Sequence, residues 1–215
     1  MAAGAHKPFT GHGLACRRGE RRVFAKLEFE LAAGGALLLT GPNGSGKTSL
    51  LRLMAGLARP EQGELRWDGE PIARDPAAHR ARCHFVGHRA AVKPILTVEE
   101  NLGFWARMHG GSDESAAASL RRARLDTRAT WPCRYLSAGE TQRLALARLG
   151  ASPAELWLLD EPASNLDAAA ARDLMAAISE HRRAGGRVAV ATHAELDLPG
   201  AARLALDRFT TWREG

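Results

Sequence analysis

The residues best suited to chemistry lie in separate short clusters. Gly41-Pro42-Asn43-Gly44-Ser45-Gly46-Lys47-Thr48 fits the spacing G-x-x-x-x-G-K-[ST]. Glycines there let the backbone wrap a phosphate closely. Lys47 then reaches the outer phosphates, and the Thr48 hydroxyl is a ligand for Mg2+. The run Leu156–Pro162, "LWLLDEP", ends an apolar segment in two acids. Asp160 can hold Mg2+ through water, and Glu161 can polarise an attacking water. His193 closes the apolar run "RVAVATH", where an imidazole can hydrogen-bond a terminal phosphate and hold that water. Finally, Ser137-Ala138-Gly139-Glu140 opens an amphipathic segment. Small polar residues before a helix make a second anion site, because the first helical amides lack internal partners. One small chain thus carries two phosphate sites, which a simple nucleotide pocket does not require.

Positioning these groups needs strands that end where the acids, the histidine and the glycine-rich loop begin. Ala36–Thr40, Leu156–Asp160, Arg187–His193 and Arg203–Asp207 read as buried parallel strands. Helical patterns lie between them at Thr48–Ala58, Leu136–Gly150 and Ala168–Gly185, the last stopping at Gly185-Gly186. This alternation predicts an α/β sheet. Two regions break it. Residues 14 to 35, with the stretch from Gly63 to Ile72, read as short strands of a small antiparallel sheet. Residues about 89 to 150 read as mainly helical, a subdomain inserted between core strands.

Composition narrows the rest. The chain has 215 residues, enough for one substantial α/β domain. No run reaches the roughly 18 apolar residues that span a bilayer. The first residues lack the apolar stretch and cleavage site of a signal peptide, so the expected compartment is the cytosol. Cys16, Cys83 and Cys133 are widely spaced and read as buried or incidental thiols. The net charge of +6 is mostly Arg in an Ala- and Gly-rich chain. It favours anionic surfaces nearby, but no basic stripe is interleaved with aromatics, so nucleic acid is not an expected partner.

Taken together, these segments resemble the ABC-type ATPases along nearly the whole chain. Gly41–Thr48 resembles the Walker A loop, Leu156–Glu161 the Walker B strand with its catalytic Glu, and Leu136–Glu140 the LSGGQ signature. Ser164–Asp167, "SNLD", resembles the D-loop, and His193 the switch histidine. The resemblance implies a P-loop NTPase of the ABC-ATPase fold, with ATP and Mg2+ as ligands and Glu161 and His193 in catalysis. It also answers the puzzle of two phosphate sites. Cassettes of this family pair head to tail around two ATPs, so Ser137 and Gly139 would meet the γ-phosphate held by a second copy. Asp167 would sit at the same junction.

Departures from the family pattern matter. The signature reads LSAGE, which puts the Glu140 charge near the opposite phosphate unless it points along the helix; the expectation is some loss of ATP affinity or a compensating arginine, for which Arg143 is one turn away. The Gln of the Q-loop is replaced by His88 or by Arg89, and the slot does not discriminate between them. The aromatic that stacks on adenine is replaced by Arg18, whose guanidinium can stack but constrains the base less. ATP remains favoured over GTP on the family's account.

Within the family, "VGHRAAVKPILTVEENL", Trp67-Asp68-Gly69, "LSAGE" and the short stretch after His193 resemble the ATP-binding subunit of the cytochrome c maturation complex, the heme exporter. That implies a peripheral subunit on the cytoplasmic face of the inner membrane, paired with an integral membrane subunit. The segment after His88, with Pro94, Leu96, Phe104 and Trp105, would receive that partner, unless the two aromatics belong to the core. Direct heme ligands are not evident: Met108 and His109 are adjacent and do not share a helix face. Heme export and release of a heme-bound chaperone both stay open. So do an ATPase subunit of another ABC transporter, a soluble ABC-type regulatory ATPase, and a nucleotide-binding module with little turnover.

Overall fold

A computed structural model describes residues 7–193 and 197–210. Two sheets organise it. The first is antiparallel, in the order β2-β1-β4-β5, from β1 (Phe9–Arg18), β2 (Arg21–Leu31), β4 (Gln62–Trp67) and β5 (Glu70–Pro71). It begins at Phe9, earlier than the sequence suggests, because Phe9 is fully buried against Phe29 and Trp67, with ring centroids 5.4 Å away in both cases. The second sheet is parallel, in the order β6-β7-β8-β3-β9. Its strands are β3 (Ala36–Thr40), β6 (Cys83–Val86), β7 (Leu156–Asp160), β8 (Arg187–Ala191) and β9 (Ala202–Ala205).

The sequence reading matches β3 and β7 residue for residue. β8 ends two residues before His193, and β9 gives way to a 3-10 turn, Leu206–Phe209. Strand β6 and the short helix α2 (Pro76–Ala81) went unrecognised. The cause is visible in "CHFV": its buried His84 and partly exposed Phe85 break the apolar signal.

The parallel strands alternate strictly between two cores, as a period of two requires. Leu37, Leu39, Leu156, Leu158, Ala189 and Ala191 face the antiparallel sheet and helix α1 (Lys47–Met54). Ala36, Leu38, Trp157, Leu159, Val188 and Val190 face the other way, toward α6 (Ala168–Arg183). Both faces are covered, so the strands read as continuous apolar runs. Burying each Leu side chain contributes about 1.5–3 kcal/mol. Between β6 and β7 the chain is helical: α3 (Val98–Met108), α4 (Asp113–Arg122) and α5 (Ala138–Ala151). They close a third core around Leu102, Leu120 and Leu144. Each opens on a side-chain cap, from Thr97, Ser112 and Ser137, with a residue three positions on reaching back. Buried Asn101 ties down the loop before α3, accepting the Lys93 amide at 2.8 Å and donating to the Thr97 carbonyl at 3.0 Å.

His84 sits where β6 meets this helical segment. It is almost fully buried, and its Nε2 lies 3.1 Å from the Ser152 carbonyl. Burial pulls its pKa down to about 4 against the upward pull of that carbonyl, with His109, Arg148 and His181 lowering it further. The ring is therefore neutral in the folded chain, while the unfolded chain takes up a proton near 6.5. Stability from this group is present above pH 6.5 and is lost as pH falls from about 6.5 toward 4. The expected loss is on the order of 3 kcal/mol. Urea midpoints measured across that range should fall for the native chain, and His84→Asn should flatten this limb.

Candidate functional site

The glycine-rich loop runs from β3 into α1 and lines a cavity of about 420 Å3 with Arg18, Val23, His88, Asp160, Glu161 and His193. Gly46 has φ 102°, and a Cβ there would stand 2.6 Å from Val23 Cγ1. Only glycine lets the loop pass so near β2 in that conformation. Lys47 is 7% exposed and folds back, its Nζ donating to the Gly41 and Pro42 carbonyls at 2.7 and 3.1 Å. Burial pulls its pKa below the ordinary lysine value, while Glu161 and Asp160 pull it back up. These two carbonyls are weaker partners than a phosphate, so the ammonium is placed to exchange them for an anion entering the loop.

Across the cavity, β7 delivers the acids. The Thr48 hydroxyl donates to Asp160 Oδ2 at 2.7 Å, and Asp160 is 3% exposed. Two hard oxygen donors side by side at a phosphate loop fit Mg2+. Glu161 follows in a turn, with φ 51°, a strained value for a residue with a side chain. The turn is fastened by its amide, which donates to the Ala191 carbonyl at 2.8 Å, and by Ser164 Oγ, which donates to the Glu161 carbonyl at 2.8 Å. Its Oε2 accepts from Thr192 Oγ1 at 3.2 Å and from the His193 amide at 3.4 Å. Its Oε1 has no hydrogen bond, and His193 Nε2 stands 3.5 Å away. A carboxylate gripped on one oxygen and left without a hydrogen-bond partner on the other keeps the capacity to accept a proton.

The signature lies elsewhere. Ser137, Gly139 and Asp167 do not line the cavity. Ser137 caps α5: its Oγ accepts the Glu140 amide at 3.2 Å while Glu140 Oε2 accepts the Ser137 amide at 2.9 Å. Glu140 therefore points back over its own helix start. The Ser137 amide, burial opposing it, holds its carboxyl below the ordinary value. The ion-pair partner is Arg128, 3.1 Å from Glu140 Oε1, and the expected Arg143 adds a weaker attraction from its own helix. Arg128 lies outside α5 and could not be found from helix spacing. A Cβ on Gly139 would come 2.9 Å from the Asn165 carbonyl, so the signature turn rests on the segment that carries Asp167. Asp167 itself caps α6, accepting the Ala170 amide at 2.7 Å. Gln142 Nε2 donates to the Pro162 carbonyl at 3.0 Å, which locks α5 to the turn after Glu161.

The open choice in the Q-loop slot now has a geometric answer: His88 lines the cavity and Arg89 is not among its lining residues. Val23 and Ser49, which sequence reading missed, line it too; Val23 is buried on β2, where a valine reads as ordinary strand core. All three cysteines are buried and free. Among the described residues no helix is long and apolar enough to cross a membrane.

A P-loop strand, an acid-tipped second strand and a capped helix standing apart define a nucleotide-binding ATPase cassette. The ABC transporter family matches residues 24–164. The chain is 54% identical over 201 residues to the cytochrome c biogenesis ATP-binding export protein CcmA of Rhodospirillum rubrum, covering 94% of this chain and 86% of that one. It is 53% identical over 210 residues to the protein of the same name from Paramagnetospirillum magneticum, covering 96% and 97%. The chain belongs to the ABC transporter family, among these ATP-binding export proteins. Its fold is also that of a putative ABC transporter ATP-binding protein from Pyrococcus furiosus, with TM-score 0.82, 22% identity, and 95% and 100% of the chains covered. A dimeric ATP-binding cassette in a post-hydrolysis state, bound to ADP and Pi, aligns with TM-score 0.77 and 24% identity, over 86% of this chain and 88% of that one.

Gly46→Ala should weaken ATP binding at least about tenfold, or ~1.4 kcal/mol, in a calorimetric titration. Leaving the unfolding midpoint nearly unchanged would place the effect in the loop.

Proposed function

We propose that this chain hydrolyses ATP as the peripheral ATPase subunit of an inner-membrane ABC complex in c-type cytochrome biogenesis. The observation that carries the proposal is the Thr48–Asp160 contact at 2.7 Å beside Glu161, which lines the same cavity. The names of the relatives support the pathway.

In this reading the amides of Gly41, Asn43, Gly44, Ser45 and Gly46 cradle the β-phosphate, Pro42, which has no N–H, shapes the loop around it, and Lys47 leaves its loop carbonyls for the β- and γ-phosphates. Thr48 and Asp160 would hold Mg2+, which would neutralise charge on the phosphates when bound. Glu161 orients the attacking water and accepts its proton. His193, beside Glu161, donates to the γ-phosphate, and Arg18 stacks on the base. Ser137 keeps its own O–H free while its oxygen accepts the Glu140 amide, so it can donate to a phosphate. That phosphate belongs to a second copy, because Ser137 and Gly139 lie outside this chain's own cavity. A nucleotide that bridges two copies closes them, and loss of the γ-phosphate removes the bridge. The helical segment between β6 and β7 takes up the membrane subunit. Heme export and release of a heme-bound chaperone are the two outputs this engine fits.

Glu161→Gln should hold the ATP-bound chain as a dimer on size exclusion and lower phosphate release by on the order of 10²-fold or more. A monomeric, still active variant would remove the proton-acceptor role. Lys47→Ala should abolish ATP binding in equilibrium dialysis; retained binding would overturn the loop's role.

A further inference from the structure

We infer that Arg148 is the docking point for a carboxylate on an apolar cytoplasmic helix of the membrane subunit, seated against Phe104 and Met108. The inference rests on the membrane-subunit reading above and gives that partner its chemistry.

Arg148 lies on α5 and is 6% exposed. Its guanidinium stacks on the Trp105 ring of α3, 3.5 Å from the centroid. Of its several N–H donors, one reaches the Phe85 carbonyl at 3.5 Å, the limit of a hydrogen bond, and Nε has no acceptor. Among the described residues it makes no ion pair. Burial alone pushes its pKa down to about 10, with no carboxylate pulling it back. The nearby rings do not supply an anion: His84 and His109 lie 4.9 Å apart, and burial pulls both below the ordinary histidine value. A buried charge with neither counter-ion nor full hydrogen bonding is costly. The chain retains it at the junction of three elements: β6, which leads to His88 in the nucleotide cavity; α3; and α5, which starts at Ser137.

The surface over this junction is apolar. Phe104 is 52% exposed and packs edge-on to Trp105 at 5.6 Å, and Met108, one turn further along α3, is 56% exposed. A helix with an apolar face and one carboxylate satisfies both features, and electrostatic matching of this kind fixes register as well as attraction. Because Arg148 shares a helix with the signature serine, the incoming carboxylate would act on both nucleotide half-sites. Arg148 is thus a positioning residue.

The test uses the chain co-purified with its membrane subunit. A p-benzoylphenylalanine in place of Phe104 should cross-link to that subunit. Arg148→Gln should lower the partner-stimulated ATPase rate at least about tenfold, while ATP affinity of the isolated chain stays within about twofold. One Asp or Glu in the partner's cytoplasmic segments, changed to Asn or Gln, should reproduce the loss, and the pair of changes should be non-additive. If Arg148→Gln unfolds in a thermal melt, Arg148→Lys and the partner's carboxylate series decide the matter. Should Phe104 cross-link while no partner carboxylate matters, the Arg148 assignment fails and the membrane reading stands. A cross-link to a second copy of the chain also overturns it. Should no membrane protein co-purify, both fall together.

Discussion

The hydrogen bond from Thr48 to Asp160 joins residues 112 positions apart. Everything in the nucleotide cavity depends on it, because it fixes the phosphate loop of β3 against the acid-tipped end of β7. The two strands are not neighbours: β8 lies between them. The contact therefore reports the position of the whole sheet, including β8, whose last carbonyl, Ala191, accepts the Glu161 amide. Since most of that sheet is buried on both faces, the loop, the Thr48 and Asp160 oxygens and the strained Glu161 are held on rigid strand ends.

A second constraint is charge management at low exposure. Lys47 is satisfied by two loop carbonyls, and Glu140 by its own helix start and Arg128. Arg187, also buried, is stacked on Trp67 and donates to the Lys7 carbonyl at 2.9 Å. Against that pattern Arg148 stands out, with a ring under it and almost no acceptor. The contrast matters because a charge out of water keeps its strength, and its effect on neighbours, far better than one on the surface.

The signature departure from LSGGQ has a structural consequence that its charge alone misrepresents. Glu140 closes a capping box, so one carboxylate oxygen accepts the Ser137 amide at the start of its own helix and the other faces Arg128. This leaves the Ser137 oxygen as an acceptor and its proton as a donor, the arrangement an anion from another chain needs.

Local chemistry was legible where it depends on neighbours in sequence. Gly41–Thr48, the acids after "LWLL", the strands β3 and β7 and the helix starts follow from spacing, because a loop, a strand face and a cap are set by residues within a few positions. Strand β6 was not legible, since buried His84 disguises it, and neither was the turn that gives Glu161 a positive φ. Only the tertiary structure decided that β8 separates β3 from β7, that His88 and not Arg89 lines the cavity, and that Arg128 answers Glu140. It alone strands Arg148 over Trp105. Those outcomes hang on contacts between residues far apart in the chain, where packing chooses the partner and no sequence period can name it.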